Sequence, residues 1–141
     1  MLQHIYGALK PPAATPSGHI VSFNQRSYAN ADTGMADIGY LYVPQSCSAS
    51  GAHCRVHVAM HGCAQSAESV GNRFYTDTGY NRWADSNNML VLYPQVNKST
   101  TPPNPQGCWD WWGYTGSNYA YKSAPQMKAI TAMVRRLTQK P

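Results

Sequence analysis

The sequence has few charged residues and no segment long enough to cross a membrane. Charged side chains make up only 12% of the 141 residues, while aromatic side chains make up 11%, with ten Tyr and four Trp. A disordered chain would instead be rich in charge and poor in aromatic residues. No apolar run approaches the length of a transmembrane helix. The composition therefore predicts a folded protein with no membrane partner, and it is typical of a secreted protein that meets a neutral or apolar surface.

An export signal and a basic stripe are also missing. Residues 1–9 are too short and too mixed to form the apolar part of a signal peptide. The net charge is +5, but the basic residues are scattered, and the one cluster is Arg135, Arg136 and Lys140. Nucleic-acid binding would favour basic residues gathered on one face. The sequence therefore predicts no nucleic-acid partner.

The four cysteines, Cys47, Cys54, Cys63 and Cys108, include no CxxC pair. A zinc ribbon is therefore disfavoured, and two disulfides formed in an oxidising compartment are the better interpretation. Three connectivities are open. We favour the local one, Cys47–Cys54 and Cys63–Cys108, because the short stretch between the first two can turn back on itself. Disulfides without an export signal lead us to expect that the N-terminus of the gene product lies upstream of Met1.

Hydrophobic periodicity and turn residues predict a layered α/β sheet. The predicted strands are 19–28, 37–43, 55–60 and 89–93. The predicted helices are 2–9, 66–87 with a break at 78–79, and 123–138, with Ser123 as N-cap and Gln126 at the third helical position. Residues 95–122 form a long loop rich in Pro, Gly and aromatic side chains. The short links between the first strands predict antiparallel pairing, whereas the later strands, which alternate with helices, are expected to be parallel. We therefore expect about four strands with flanking helices in one partial domain over residues 1–141.

The segment after the third predicted strand has the pattern of a turn that can bind a ligand through its backbone. His61-Gly62-Cys63 joins this strand to a helix, and such a turn presents free backbone N–H groups. In α/β-hydrolases the loop at this place supplies one N–H of the oxyanion hole. The alternative is an ordinary strand-to-helix turn. His57 and His61 would lie about 13 Å apart at strand spacing, so we predict no metal site there.

Three tryptophans lie within four residues of the long loop: Trp109, Trp111 and Trp112. Three rings so close together in sequence do not all fit into one core, and an exposed platform for an apolar or polymeric partner is one interpretation. The alternative interpretation is a small aromatic core held by a disulfide. An arrangement with one ring buried and another exposed would combine the two interpretations. Asp110, between the rings, is expected to order the loop by accepting bonds from backbone N–H groups.

Three stretches together resemble extracellular polyhydroxybutyrate (PHB) depolymerases: HVAMHGCAQS at 57–66, GYNRWADSNNMLVLYPQ at 79–95 and NPQGCWDWWGYTGSNYA at 104–120. The resemblance runs roughly over residues 2–137. It implies a partial α/β-hydrolase sheet, esterase chemistry by a Ser-His-Asp triad, secretion, and PHB or hydroxybutyrate oligomers as substrate, with no cofactor and no metal. In the circularly permuted branch of this family the triad lies in the N-terminal half of the catalytic domain, and the chain resembles the C-terminal part.

On this resemblance the backbone N–H of Cys63 serves the oxyanion hole, and His61 and Gly62 support it. The substrate-contacting residues are then Trp109, Trp111 and Trp112. A nucleophile elbow needs a G-x-S-x-G string, and the sequence has none. We therefore expect a segment that is inactive by itself. A non-catalytic polyester-binding module and an inactive truncated product are the alternatives. Half a sheet would expose an unpaired edge, which predicts self-association there.

Overall fold

The computed structural model describes residues 1–49 and 51–139. The helices are α1 Leu2–Tyr6, α2 Ala67–Val70, α3 Arg73–Asp77, α4 Tyr80–Ser86 and α5 Pro125–Thr138. The strands are β1 His19–Asn24, β2 Ile38–Val43, β3 Arg55–Val58 and β4 Met89–Tyr93. No helix in these two ranges is long and apolar enough to span a membrane. Lys140 of the predicted basic cluster and one residue of the Cys47–Cys54 loop lie outside the described residues.

The four strands form one mixed sheet in the order β1-β2-β4-β3. β1 pairs with β2 and β2 with β4 in antiparallel register, whereas β3 and β4 are parallel. This confirms the predicted α/β class, with early antiparallel strands and a later parallel pair. Helices α2 to α4 provide the crossover that a parallel pair needs. β4 inserts between β2 and β3, so β3 is an edge strand of the described sheet.

The side chains of β4 alternate between two cores, because successive residues of a strand point to opposite faces. Met89, Val91 and Tyr93 pack on one face, where the partly buried rings of α1, α3 and α4 cover them. Leu92 packs on the other face, against Ala129 and Met133 of α5. The continuous apolar run of β4 is therefore explained by burial on both faces.

Several element ends differ from the sequence-based predictions. The strand predicted to reach residue 28 ends at Asn24, whose side chain accepts a hydrogen bond from the N–H of Arg26 and begins a 3₁₀ turn. The first helix ends at Tyr6, because Gly7 takes a left-handed φ of 78°. The third strand ends at Val58 rather than at residue 60. Local side-chain and glycine conformations, which periodicity does not detect, decide the first two of these ends.

The prediction that Ser123 is the N-cap of the last helix is wrong. α5 begins at Pro125 after Ala124, and proline suits this first position because its missing N–H would have had no partner there. The Ser123 hydroxyl is instead within 3.3 Å of the Asn118 side-chain nitrogen. Gln126 does not form a capping box either, since its amide is used by the long loop.

Candidate active-site segment

His61 fixes the turn that follows β3. Its Nδ1–H donates to the carbonyl of Gly62 at 2.8 Å, and its Nε2 accepts from the backbone N–H of Val96 at 3.2 Å. These two bonds require the neutral ring with its proton on Nδ1. Burial lowers the pKa of His61, while the bond to Gly62 opposes that shift. The turn is thereby attached to Val96, in the segment just after β4, as a structural role for His61 predicts.

Among residues 62–65 of this turn, the backbone N–H groups have acceptors at every position but one. Gly62 donates to Oε1 of Gln65 at 2.9 Å, Ala64 donates to the carbonyl of Gln106 at 2.6 Å, and Gln65 donates to the carbonyl of Gly62 at 3.2 Å. Within the described ranges the N–H of Cys63 has no hydrogen-bond acceptor. Cys63 is also exposed to solvent. Residues 62–65 therefore offer one free and exposed donor to a ligand.

The turn is covalently joined to the long loop. The disulfide Cys63–Cys108 brings the two Cα atoms to 4.2 Å across a separation of 45 residues, and Cys47–Cys54 closes the smaller loop. This is the local pairing among the three connectivities. Asn104 is fully buried and holds Cys108 on both sides: its Oδ1 accepts from the Cys108 N–H at 2.9 Å, and its Nδ2 donates to the Cys108 carbonyl at 2.8 Å.

Asp110 organises the tip of the long loop, which confirms the prediction from its position between tryptophans. Its carboxylate accepts from the N–H groups of Gly113, Tyr114 and Thr115 at 2.6, 3.0 and 2.8 Å, and from the Thr115 hydroxyl at 2.6 Å. Burial alone would raise the pKa of Asp110, but the bonds from Thr115 and its neighbours lower it below the usual value. The carboxylate is therefore held in its charged form.

The three tryptophans divide between interior and surface, so the mixed interpretation is confirmed. Trp111 is 69% exposed and Trp112 is 39% exposed, with their ring centroids 5.2 Å apart. Trp109 is half-buried against the core on the α5 face, and its ring lies 5.4 Å from that of His61. A contact between Trp109 and substrate stays a prediction, whereas its packing beside His61 supports the turn.

An open cavity of about 380 Å³ lies between the turn and the loop. Its accessible wall is apolar and is formed by Cys63, Asn104, Pro105, Gln106, Cys108, Trp111 and Trp112. Cys63 and the two exposed tryptophans thus border one open apolar surface. An apolar cleft with few placed polar groups is the usual form of a small-molecule site.

Sequence reasoning missed the polar side chains that fix the loop around this cavity. Asn104 and Gln126 are both buried and hydrogen-bonded to loop backbone, and Tyr114 bonds to both Gln126 and Cys108. Gln126 escapes a short-range pattern because its partners are 12 to 93 residues away, whereas Asn104 bonds to Cys108 only four residues away. Within the described residues, no group of three His, Cys, Asp or Glu side chains is placed to hold a metal ion.

Two curated proteins are similar to the chain in sequence. Poly(3-hydroxybutyrate) depolymerase of Delftia acidovorans is 48% identical over 141 residues, which are 98% of this chain and 28% of that protein. Polyhydroxybutyrate depolymerase of Talaromyces funiculosus is 46% identical over 146 residues, which are 96% of this chain and 43% of that protein. No protein-family model matches. The chain thus spans less than half the length of these relatives.

Two solved structures share the fold. The crystal structure of PHB depolymerase from Penicillium funiculosum has a TM-score of 0.89 and 44% identity, covering 98% of this chain and 47% of that one. A serine-to-alanine variant of PHB depolymerase, complexed with an R3HB trimer, has a TM-score of 0.88 and 45% identity, covering 96% and 45%.

Proposed function

Because the chain corresponds to a segment of poly(3-hydroxybutyrate) depolymerases, we propose that it supplies two parts of a polyester-hydrolysing site. The first is the backbone N–H of Cys63 as an oxyanion donor, in a turn supported by His61 and Gly62. The second is an aromatic wall formed by Trp111 and Trp112. The observation that carries this proposal is that Cys63 and both tryptophans line one apolar cavity.

The free N–H of Cys63 suits the chemistry of ester cleavage. When a serine attacks the ester carbonyl, the carbonyl oxygen gains negative charge and needs donors that are already oriented toward it. A donor that has no acceptor in the protein breaks no bond to serve that oxygen. Loss of one such donor typically costs about 2.7–4 kcal/mol of transition-state stabilisation. The bonds made by Gly62 and Ala64 hold the neighbouring peptide groups in place around it.

The nucleophile is proposed to come from another part of the polypeptide. The 141 residues contain no G-x-S-x-G string, so we propose that the serine, its base and its acid belong to a longer protein in which this chain is the C-terminal part of the catalytic domain. Acyl transfer by a triad needs no metal or organic cofactor. The chain alone is then expected to bind substrate without turning it over.

The proposed substrate is the polyester PHB or its hydroxybutyrate oligomers. The apolar wall at the cavity suits a chain that carries a methyl group in each unit, and ester carbonyls along the chain would meet the Cys63 donor. The two disulfides fit a protein that acts outside the cell. We also propose one partial domain over residues 1–141, with self-association through the edge of β3 where the chain occurs without further strands.

Binding of the hydroxybutyrate trimer to residues 1–141 tests the aromatic wall. Titration calorimetry with wild type and Trp111→Ala is expected to show affinity weakened about tenfold or more, as for a central aromatic contact. Tyr121→Ala is the matched control, since Tyr121 is 68% exposed and is not among the cavity residues. Equal affinities for wild type and Trp111→Ala would contradict the proposal.

Ester turnover tests the absence of a nucleophile. We expect no hydrolysis of a short p-nitrophenyl ester by residues 1–141. Turnover that is abolished by a serine-directed covalent inhibitor would overturn this expectation. A polypeptide extended upstream of Met1 is expected to clear a PHB film, whereas a binding-only module would not clear it with any extension.

A further inference from the structure

We propose that Tyr114 is a positioning residue for the aromatic wall, and this inference rests on the proposed function. The Tyr114 ring lies 4.8 Å from the ring of Trp112 at a tilt of 47°, and Trp112 lies 5.2 Å from Trp111. Tyr114 is half-buried beside the exposed ring of Trp112. The cavity-lining residues include both tryptophans but not Tyr114, so Tyr114 acts through Trp112.

The hydroxyl of Tyr114 links α5 to the disulfide. Nε2 of Gln126 donates to the Tyr114 oxygen at 2.7 Å, and the Tyr114 O–H donates to the carbonyl of Cys108 at 2.8 Å. The directions are fixed, since an amide nitrogen only donates and a carbonyl only accepts. Cys108 is the half-cystine bonded to Cys63. The ring beneath Trp112 is therefore tied to the same residue that anchors the oxyanion turn.

Gln126 holds the loop at a second point. Its Oε1 accepts from the N–H of Asp110 at 2.9 Å, and its Nε2 also donates to the carbonyl of Thr33 at 2.8 Å. Gln126 is only 6% exposed. If its amide were removed, water could not reach these groups to replace the lost hydrogen bonds. One side chain from α5 thus fixes the loop at two points, the N–H of Asp110 and the hydroxyl of Tyr114.

The Tyr114 ring also packs directly on the backbone of Gly34. A Cβ at position 34 would lie 2.9 Å from Cε2 of Tyr114, closer than real contacts allow, and Gly34 has a left-handed φ of 69°. The ring therefore has the peptide backbone at Gly34 as one neighbour and Trp112 as another. Its position is set by packing as well as by the hydroxyl.

If Tyr114 only filled space, loss of its hydroxyl would lower stability and leave ligand affinity unchanged in the folded state. A positioning role predicts a change in the tryptophans themselves. Tyr114→Phe keeps the ring and removes both hydroxyl bonds. We expect the affinity for hydroxybutyrate trimer to fall about two- to tenfold, which is the range for one lost hydrogen bond. Acrylamide quenching of tryptophan fluorescence is expected to increase, because the wall is held less firmly.

Three further variants sharpen this test. Gln126→Met removes the donor to Tyr114 and is expected to weaken trimer binding as well. The double variant with Tyr114→Phe is expected to weaken it by less than the product of the single effects, because both act through the same hydroxyl. Tyr121→Phe removes an exposed hydroxyl that makes no side-chain hydrogen bond within the described residues, and it is expected to match wild type in both measurements.

The failure of this inference is distinguishable from failure of the proposed function. If Trp111→Ala weakens trimer binding while Tyr114→Phe and Gln126→Met leave affinity and quenching at wild-type values, the positioning role is overturned and the proposed function stands. If Trp111→Ala leaves affinity unchanged, the proposed function fails. In that case the quenching of Tyr114→Phe decides the positioning role, and wild-type quenching overturns it.

Discussion

His61 donates a hydrogen bond to the carbonyl of its own neighbour, Gly62, at 2.8 Å, while the opposite ring nitrogen accepts the N–H of Val96. Two chain segments thus depend on one neutral imidazole. Val96 is fully buried, so His61→Ala would leave its N–H without an acceptor. We expect the free energy of unfolding to fall by about 1–3 kcal/mol, measured by urea denaturation. His53→Ala, at an exposed position, is the control and should change it little. Similar losses for both variants would contradict the bridging role.

Acidification should weaken the fold through two buried histidines. Burial lowers the pKa of both His57 and His61. Nε2 of His61 accepts from the N–H of Val96, and Nδ1 of His57 is hydrogen-bonded to the hydroxyl of Tyr6 at 3.0 Å. The unfolded chain therefore binds protons more readily than the folded chain below the ordinary histidine pKa of about 6.5. Stability should be complete above that pH and decline as the pH falls toward the lowered values. Urea midpoints recorded from about pH 8 to pH 5 test this, and a flat profile would refute it.

The carboxylate of Asp110 is expected to matter more than that of an exposed aspartate. Asp110→Ala leaves the N–H groups of Gly113, Tyr114 and Thr115 without their acceptor, and we expect a loss of about 1–2 kcal/mol. Asp37, whose side chain is 72% exposed, makes one ion pair with Arg26, and Asp37→Ala should cost at most about 1 kcal/mol. Urea denaturation of both variants gives the comparison. If Asp37→Ala lowered the free energy of unfolding more than Asp110→Ala does, the loop would be held mainly by contacts other than those of Asp110.

The two disulfides should contribute unequally, because they close loops of different length. Sequence separations of 45 and 7 residues correspond to about 4 and about 2.4 kcal/mol of lost chain entropy in the unfolded state. Replacing Cys63 and Cys108 by serine should therefore destabilise the chain more than replacing Cys47 and Cys54. Thermal or urea unfolding of the two double variants measures the order. The reverse order would mean that loop length does not govern these bonds.

The fold was largely predictable from the sequence because its strands carry strong local patterns. The continuous apolar run of β4 and the alternation in β1 identify strands without any tertiary information. The sheet order was not predictable, because nothing local shows that β4 inserts between β2 and β3. The resemblance to PHB depolymerases, which rests on specific strings such as GCWDWWG, is confirmed by the sequence and structural relatives.

The candidate site was predictable in its outline and not in its supports. Cys63 and the tryptophans lie in recognisable strings, and Asp110 has the position of a loop-capping residue. Gln126 acts through partners that are 12 to 93 residues away in sequence, so no short window contains both donor and acceptor. Asn104 bonds to Cys108 only four residues away, but no recognised turn or capping pattern identified it. Ser123 illustrates the opposite error, in which a local pattern predicted a contact that does not form. Ser123 is a favourable capping residue, but the helix begins at Pro125, two positions later.

The Cys63–Cys108 disulfide also constrains how the sequence of this segment can evolve. Loss of either cysteine alone would leave the other as a free thiol; Cys63 is exposed, and both line an open apolar cavity. A single thiol there is available for oxidation or for pairing with a second molecule. Intermediates with one cysteine should therefore be disfavoured, and the two positions are expected to be inherited or lost as a pair.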